Sequence, residues 1–272
     1  MSRVICAVLF CLWVLTGHAW NHQGHQVIAQ IAYEHLTPKA KKMCAHYLNS
    51  RSKKTFNEQF IAAALWMDLI KLKNIHWYDT FHYIDIPFST DNSTLPTIEN
   101  SNAVWGINNA VSILSSKNAK KSDKRLALLI LIHLVGDIHQ PLHAITKVST
   151  QLPQGDQGGN LFLLGSNDVA ENLHRYWDNG AGFFSGRNSI SRIKDKANRL
   201  EERFPCELFD AQKNPREWAD LSHELAITQV YQIHVKEVPS KQYQENAQNI
   251  TQKQVVLAGC RLSSLLNNIA NK

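Results

Sequence analysis

The feature that most constrains this sequence is an apolar run over residues 124–140, in which hydrophobic side chains recur at helical spacing. His133 and Asp137 stand four residues apart on this predicted helix, so their side chains share one face. His174 and Asp178 repeat this spacing further along the chain. One such pair is also typical of an ordinary helix, but imidazole and carboxylate groups are ligands that suit zinc. Two pairs in one chain therefore favour a metal site.

Helical spacing of apolar residues dominates the rest of the chain as well. It recurs over residues 56–70, 102–115, 215–235 and 254–269, whereas alternating, strand-like runs are few. The predicted strands are Phe81–Ile86 and Leu161–Leu164, and the predicted loops are residues 86–101 and 148–160. The sequence shows no internal repeat and no interdomain linker. We therefore predict a mainly α, single-domain helical fold with at most a short hairpin.

The composition, with 44% hydrophobic and 19% charged residues among 272, excludes a disordered or fibrous chain. The amino-terminal segment differs, because Arg3 precedes an apolar run, Val4–Leu15, that is followed by the small residue Ala19. This order is typical of a secretory signal, and the run is shorter than the ~20 apolar residues that span a bilayer. We predict that residues 1–19 are a cleaved signal peptide and that the protein is exported, either periplasmic or secreted. The alternative is an uncleaved membrane anchor.

Loss of Arg3 with the signal lowers the net charge from +6 to +5, a mild excess that suits anionic substrates. Lysine-rich stretches lie at residues 39–42, 51–54 and 117–125. Runs of this kind are typical of solvated helix faces, and we interpret them so.

Three cysteines remain after the signal, namely Cys44, Cys206 and Cys260. An odd number in an exported protein permits one disulfide and one free thiol. The sequence leaves the pairing open.

Three further residues, His25, Asp68 and His82, add acid and imidazole groups to the candidate metal site. Each has a structural alternative, since a histidine within the apolar segment Phe81–Pro87 is often a hydrogen-bonded core residue and Asp68 can pair with a lysine. Together with the two helical pairs, they are more ionisable groups than a core keeps without compensating charge.

Six motifs in the chain occur together in one known order: Trp20-Asn-His-Gln-Gly-His25, Trp66-x-Asp68, His82-Tyr-x-Asp85, Gly136-Asp-Ile-His-Gln-Pro-Leu-His143, Asp156-x-Gly-Gly-Asn160 and Asn172-Leu-His174-x-x-Trp-Asp178. In these motifs the sequence resembles the trizinc, single-strand-specific nucleases and 3′-nucleotidases of the S1/P1 type. That family shares a helical fold with bacterial zinc-dependent phospholipase C. Residues 258–267 are similar to the family's closing helix, whereas residues 184–257 carry no matching motif.

The resemblance implies three zinc ions held by nine residues of a nuclease domain over residues 20–272. The implied ligands are Asp68, His82, His133 and Asp137 for the first ion, His143, His174 and Asp178 for the second, and Trp20 with His25 and the shared Asp137 for the third. Trp20 would contribute its amine and its carbonyl. Signal cleavage would complete the site, because this amine exists only when Trp20 is the amino terminus.

The chemistry implied by the resemblance is hydrolysis of a phosphate ester. Two zinc ions ~4 Å apart can lower the pKa of a shared water toward neutrality, so a metal-bridged hydroxide is the implied nucleophile on phosphorus. Catalytic roles fall to Asp68, Asp137 and Lys71, with Lys71 as a cationic phosphate contact. The alternative for Lys71 is an exposed lysine at a helix end.

The resemblance also implies a substrate pocket beside Lys71, in which Asp85 and Asn160 hydrogen-bond the base edge and Tyr83 stacks on the base. Stacking contributes ~1–3 kcal/mol per base and tolerates any base, which favours unpaired strands. As alternatives, Asp85 could cap the turn before Pro87 and Tyr83 could belong to the core.

Three other histidines near the motifs, His22, His46 and His139, fill no ligand position of the family. His139 follows Asp137 by two residues and faces away from it on the predicted helix. We predict a supporting or surface role for it.

The sequence thus predicts an exported trizinc phosphodiesterase, a zinc-dependent endonuclease and 3′-nucleotidase that cleaves single-stranded RNA and DNA to 5′-phosphorylated products. The expected substrates are single-stranded RNA or DNA and 3′-nucleotides. We expect a monomer with no stable protein partner and no membrane span after signal cleavage.

Two other functions stay open. A zinc-dependent phospholipase C uses nearly the same ligands, but its pattern resembles His-x-x-x-Glu where this chain has His174-x-x-x-Asp178, and Asp85 and Asn160 match the nucleotide pocket. A noncatalytic zinc- or nucleic-acid-binding protein would use the basic patches alone, with salt-sensitive binding and no metal-dependent turnover.

Overall fold

A computed structural model describes residues 20–48, 53–186, 188–209 and 214–272, so the predicted signal peptide, residues 1–19, lies outside the described residues. Helices make up most of this part of the chain, which confirms the mainly α prediction. The α-helices are α1 (His22–Glu34), α2 (Pro38–Leu48), α3 (Phe56–Ala63), α4 (Trp66–Lys71), α5 (Ala103–Ser115), α6 (Lys121–Asp137), α7 (Leu173–Asp178), α8 (Ile190–Arg203), α9 (Pro215–Leu225) and α10 (Lys241–Asn271). Shorter 3-10 helices within the described ranges cover Asp79–His82, Pro141–Ala144, Gly180–Gly182 and Cys206–Leu208, and a π-helical turn, Ala226–Val230, follows α9.

Helix α6 lies at the centre of the fold. Every residue from Ala127 to Asp137 is buried, because α6 packs against α5 and also contacts α2, α4 and α10. Helix α1 packs against α10, α8 and α3, and it meets the carboxyl end of α6 where Gly136 contacts His25. A helix that is buried on all sides is apolar around its circumference. The polar residues at the end of α6 are therefore surrounded by protein.

The predicted helix over residues 102–115 is confirmed by α5, and the one over 254–269 lies within the longer α10. The helix predicted over 215–235 ends at Leu225 in α9, before the π-helical turn. Two further predictions differ. Helix α6 ends at Asp137, before the predicted residue 140, because Pro141 disfavours the α conformation in Gln140, whose ψ is 117°. The predicted helix over 56–70 is interrupted between α3 and α4. This break leaves the carbonyl of Ala64 free to accept a hydrogen bond from His133 of α6 (2.7 Å).

Both predicted strands are wrong in position. Strand β1 is Pro87–Ser89, and it pairs in parallel with β2, Thr146–Val148. The predicted strand Phe81–Ile86 begins inside a 3-10 helix, and Leu161–Leu164 forms only a single bridge, between Leu163 and Asn172. The strand pair joins distant segments, so it is not a hairpin.

The extended segment before β1 has a different role from the one predicted. The amide of Ile84 donates to the carbonyl of His143 (2.8 Å), and the carbonyl of Ile86 accepts from the amide of Thr146 (3.1 Å). These bonds fix the backbone around His143 next to the backbone that follows His82. The pairing was missed because it depends on a contact about sixty residues away in sequence.

One disulfide joins Cys206 to Cys260, and Cys44 is a free, buried thiol on α2. This confirms one bridge and one thiol and resolves the pairing that the sequence left open. Burial raises the pKa of Cys44 to about 12, so this thiol stays protonated.

Among the described helices, none combines the length and the apolar character that crossing a membrane requires.

The disulfide closes a loop of 54 residues, so its removal should destabilise the fold. We expect the double variant Cys206→Ser, Cys260→Ser to lose about 2–4 kcal/mol of unfolding free energy, because the unfolded chain gains conformational freedom. Urea unfolding with and without a thiol reductant measures the loss. The reductant should lower the stability of the wild type to that of the variant, and equal wild-type and variant midpoints without reductant would contradict the prediction.

Candidate metal centre

The nine predicted metal ligands lie in the interior of the protein, and none is more than 4% exposed. They come from the amino-terminal segment, α1, α4, α6, α7 and the 3-10 helices Asp79–His82 and Pro141–Ala144. The predicted ligands form three groups whose atoms converge: His25, His133 and Asp137; Asp68, His82 and His133; and His143, His174 and Asp178. Within each group, the ligand atoms lie within 4.8 Å of one another.

Asp137 stands between two of these groups. Its Oδ2 lies 2.8 Å from His82 Nδ1 and 3.3 Å from His133 Nε2, whereas its Oδ1 lies 3.2 Å from His25 Nε2. The two oxygens of one carboxylate thus face different histidines. A carboxylate placed in this way would be able to hold a cation on each side.

The group around His133 is completed from α4. Asp68 Oδ1 lies 3.7 Å from His133 Nε2, and His82 Nδ1 lies 3.1 Å from the same nitrogen. The rings of His25 and His133 are stacked, with centroids 4.1 Å apart and planes 13° apart. Four side chains from different parts of the chain therefore direct nitrogen and oxygen atoms at one small volume.

Trp20 anchors the start of the described chain beside this group. Its side chain is fully buried, and the indole Nε1 donates to the carbonyl of Gly136 (3.0 Å). The next amide, that of Asn21, donates to the carbonyl of Asp178 (2.9 Å), and the Asn21 side chain caps α1. The backbone at Trp20 therefore lies between the end of α6 and the end of α7.

The third group, which we call the group on α7, consists of His174 and Asp178 of α7 together with His143. His143 Nε2 lies 3.1 Å from His174 Nε2, and Asp178 Oδ2 lies 3.5 Å from His174 Nε2. Gln140 donates from Nε2 to Asp178 Oδ1 (2.7 Å) and holds this carboxylate in place. The sequence analysis did not identify Gln140 as a partner of Asp178, although Gln140 lies in the same motif as His143.

Backbone carbonyls orient three of the histidines. The Nδ1 atoms of His133, His143 and His174 each lie 2.7 Å from a carbonyl oxygen, those of Ala64, His82 and Gly158 respectively. A carbonyl only accepts, so each Nδ1 carries a proton, and Nε2 is the ring nitrogen that faces the centre. The Nε2 atoms of His143 and His174 lie 3.1 Å apart, close enough for one cation to bind both.

The ionisation states fit the same interpretation. Burial and the adjacent His133 lower the pKa of His25 to about 3, and burial lowers the pKa of His143 to about 4, so both rings are neutral at pH 7. Burial also lowers the pKa of His133, but the carboxylates of Asp137 and Asp68 outweigh it and raise this pKa to about 9. Neutral imidazoles bind metals, and a cation entering this group would displace the His133 proton.

Lys71 lies at the edge of the centre and is not the exposed lysine of the alternative interpretation. Its side chain is only 9% exposed, and Nζ lies 3.9 Å from Asp68 Oδ1.

His139 is fully buried outside the ligand groups, where its ring bonds to Val135 O (2.6 Å) and to Arg261 Nη1 (2.8 Å). The predicted surface role is therefore wrong, and the supporting role stays a prediction.

Two of the predicted base contacts, Tyr83 and Asp85, line one cavity of about 120 Å³ together with Glu99, which the sequence did not indicate. Tyr83 is 37% exposed and so presents an accessible ring. Burial raises the pKa of Asp85 to about 7, with smaller contributions from the acids Asp156 and Glu99.

Asn160 does not line this cavity. Its amide nitrogen donates to the carbonyl of Gln157 (2.8 Å), within the loop that carries Gly158. Its Oδ1 is buried and has no hydrogen-bond partner in the described part of the chain.

Comparison with known proteins agrees with these features. The family model described as S1/P1 Nuclease matches residues 20–271. Endonuclease 2 of Arabidopsis thaliana is 28% identical over 64% of this chain, a match that spans 61% of that relative and thus less than two thirds of its length. Endonuclease 1 of the same plant is 25% identical, in a match that covers 98% of this chain and 92% of that relative. Nuclease S1 of Aspergillus oryzae is 26% identical, in a match that covers 79% of this chain and 72% of that relative.

The carbonyl of Gly158 orients His174, and a side chain at this position has no room. An added Cβ would lie 2.4 Å from Leu142 O and 3.3 Å from His174 Nδ1, and the φ of +60° is one that alanine rarely adopts. We expect Gly158→Ala to destabilise the protein and to displace His174, which lowers the metal affinity of the group on α7. Urea unfolding and metal analysis of the purified variant check both effects.

Gly186→Ala is the matched control, because Gly186 also has a positive φ (+93°) but has no atom within 3.4 Å of an added Cβ. Both variants carry backbone strain of roughly 1–2 kcal/mol. Gly158→Ala should lose at least about 2 kcal/mol more, owing to the clash. Equal losses and equal metal contents would show that the clash does not matter.

Proposed function

Since the chain belongs to the S1/P1 nuclease family, we propose that it is an exported, zinc-dependent phosphodiesterase that hydrolyses single-stranded RNA and DNA to 5′-phosphorylated products. We further propose that it removes 3′-phosphate from nucleotides. The observation that carries the metal dependence is the buried convergence of His143, His174 and Asp178, with the Nε2 atoms of the two histidines 3.1 Å apart.

The proposed ligand sets are supported by the grouping of the side chains. The first zinc site consists of Asp68, His82, His133 and Asp137, and the second of His143, His174 and Asp178. The third consists of the amine and carbonyl of Trp20 with His25, and it shares Asp137. The two-sided placement of the Asp137 oxygens, toward His82 and His25, supports this sharing.

We propose that export and activation are coupled at Trp20. Removal of residues 1–19 creates the amine that completes the third ligand set. The burial of Trp20 and the Asn21 amide bond to Asp178 O (2.9 Å) support this role, because they hold the new amino terminus against the metal centre.

The zinc ions, when bound, supply Lewis acidity that activates water and stabilises charge on the phosphoryl group. The chain's own residues position the substrate. Lys71, held at Asp68, offers its ammonium to a phosphoryl oxygen as negative charge develops. Tyr83 stacks on a base, and the Asp85 carboxylate accepts a hydrogen bond from the edge of that base. A base must be unpaired to enter a cavity of this size, which favours single strands.

The test is hydrolysis of single-stranded RNA and DNA by protein that begins at Trp20, with zinc counted in the same sample before and after chelation. We expect about three zinc ions per chain and cleavage that is lost with the zinc and restored by its return. Protein with one additional residue before Trp20 should bind one ion fewer, because the Trp20 amine becomes an amide. Bound zinc with phosphocholine release from lipid, and no cleavage of nucleic acid, would instead assign a phospholipase C.

Asp137→Asn tests the shared ligand. We expect this variant to lose zinc and to lose kcat/KM by more than the roughly 10–100-fold that changes outside the ligand shell cost. Asp79→Asn is the control, because Asp79 lies on the same 3-10 helix as His82 but pairs with His76 outside the centre. Full activity and full zinc content in Asp137→Asn would contradict the ligand assignment.

The raised pKa of Asp85 predicts a pH dependence of substrate binding. With a pKa of about 7, the carboxylate is ionised, and able to accept a hydrogen bond from a base, only above that pH. We expect the ratio of the KM of Asp85→Asn to that of the wild type to rise about fivefold to tenfold from pH 6 to pH 8. Steady-state kinetics on a single-stranded oligonucleotide measures this ratio, and parallel pH profiles for the two proteins would contradict it.

A further inference from the structure

A concave surface of about 420 Å³ lies where α2, the end of α5, the start of α6 and the end of α10 meet. Five lysines line it, and we call it the lysine pocket: Lys39, Lys42, Lys117, Lys124 and Lys272. No aspartate or glutamate is among its lining residues. Two of the lysine-rich stretches that the sequence predicted as solvated faces, 39–42 and 117–125, thus converge on one concavity.

The charges of the lysine pocket are not neutralised by neighbouring acids. Within the described residues, none of the five lysines has a carboxylate oxygen within 4.0 Å. Helices α5 and α10 end at the pocket, and each contributes a partial negative charge of about half a unit. The charges of Lys39, Lys42, Lys117 and Lys124 alone exceed this, and a concave surface focuses their field on an incoming anion.

The pocket also contains an aromatic surface. Tyr47 lines it beside His46, and the ammonium of Lys124 lies 5.8 Å from the centroid of the Tyr47 ring. The rings of His46 and Tyr47 are in edge contact, with centroids 5.1 Å apart. Lysines together with an aromatic ring fit a ligand that has both phosphates and flat bases.

Helix α6 separates the lysine pocket from the metal centre. Lys124 in its first turns lines the pocket, and Asp137 at its end stands in the centre, thirteen residues further on. At 1.5 Å per residue, the two positions are about 20 Å apart along the helix. With phosphates about 3.4 Å apart on a stacked strand, about six nucleotides cover this distance. A dinucleotide at the metal centre therefore cannot reach the pocket.

We propose that the lysine pocket is an anchoring site for the phosphodiester backbone of a single-stranded nucleic acid, separate from the site of cleavage. This rests on the proposed function, because the ligand is the polymer that the metal centre cleaves. A strand held in the pocket raises the effective concentration of its remaining nucleotides near the centre. The pocket then lowers KM for long strands and leaves the chemical step unchanged.

The test compares a strand of about 30 nucleotides with a dinucleotide in the zinc-loaded enzyme. In the triple variant Lys39→Gln, Lys42→Gln, Lys124→Gln we expect KM for the long strand to rise about tenfold, with kcat unchanged. Kinetics on the dinucleotide should match the wild type, which also shows that the variant is folded. The slope of log KM against log salt for the long strand should decrease by about two, because three phosphate contacts are lost.

The matched control is Lys194→Gln, Lys236→Gln, Lys241→Gln, which removes the same charge from exposed positions outside the pocket. The control should change KM for the long strand less than twofold. Equal changes of KM in the two triple variants would show that the overall charge of the protein, and not the pocket, determines KM, and would overturn the proposal. An unchanged KM in the pocket variant would also overturn it. Loss of binding to phosphatidylglycerol vesicles in the pocket variant, with KM for the strand unchanged, would assign the pocket to a lipid surface instead.

Failure of the proposed function gives a different result. If the wild type cleaves neither substrate, the labelled long strand stays intact, and fluorescence anisotropy measures its binding directly. Weaker binding by the pocket variant than by the control variant then supports the anchoring site even without cleavage. Equal binding by both variants overturns it.

Discussion

The carboxylate of Asp137, buried at the end of α6, is the group around which the rest of the structure is arranged. Its two oxygens contact imidazoles on both sides, His82 and His133 on one and His25 on the other. Burying this many ionisable groups is costly unless charges are paired or coordinate a cation. The residues of α6 that precede Asp137 are buried and mostly apolar, so the carboxylate is excluded from water. Helix α1 contacts the end of α6 at a glycine, Gly136.

The irregular parts of the fold serve the same centre. The break between α3 and α4 exposes the carbonyl of Ala64, the 3-10 helix that ends at His82 presents the carbonyl of that residue, and the loop at Gly158 presents a third. Regular helices would use these carbonyls in their own hydrogen bonds. Each interruption therefore gives one histidine a fixed ring orientation, with Nε2 directed into the centre.

The sequence predicted the parts of this arrangement that depend on local spacing. The helix carrying His133 and Asp137 and the presence of one disulfide agree with the structure. The predicted ligand residues lie close together, and their binding of metal stays a prediction. The predicted positions of the strands were wrong. The apolar pattern of a hexapeptide such as Phe81–Ile86 is the same for a β-strand and for the end of a 3-10 helix followed by an extended segment.

Contacts between residues far apart in the chain could not be predicted from the sequence. The pairing of Cys206 with Cys260, the hydrogen bond from Gln140 to Asp178 and the absence of Asn160 from the lining of the cavity at Asp85 all depend on tertiary packing. The lysine stretches show the same limit, since only the packing of α2 against α6 brings Lys39 and Lys124 into one pocket.

The most direct test of the metal centre is a crystal of zinc-loaded protein beginning at Trp20, with anomalous diffraction recorded at the zinc edge. The account predicts three anomalous peaks, one at each ligand set, with nitrogen and oxygen ligands about 2.0–2.2 Å away. One peak should lie between His143 Nε2 and His174 Nε2, and the other two on opposite sides of Asp137. The absence of a peak at these groups, or zinc bound only elsewhere on the protein, would contradict it.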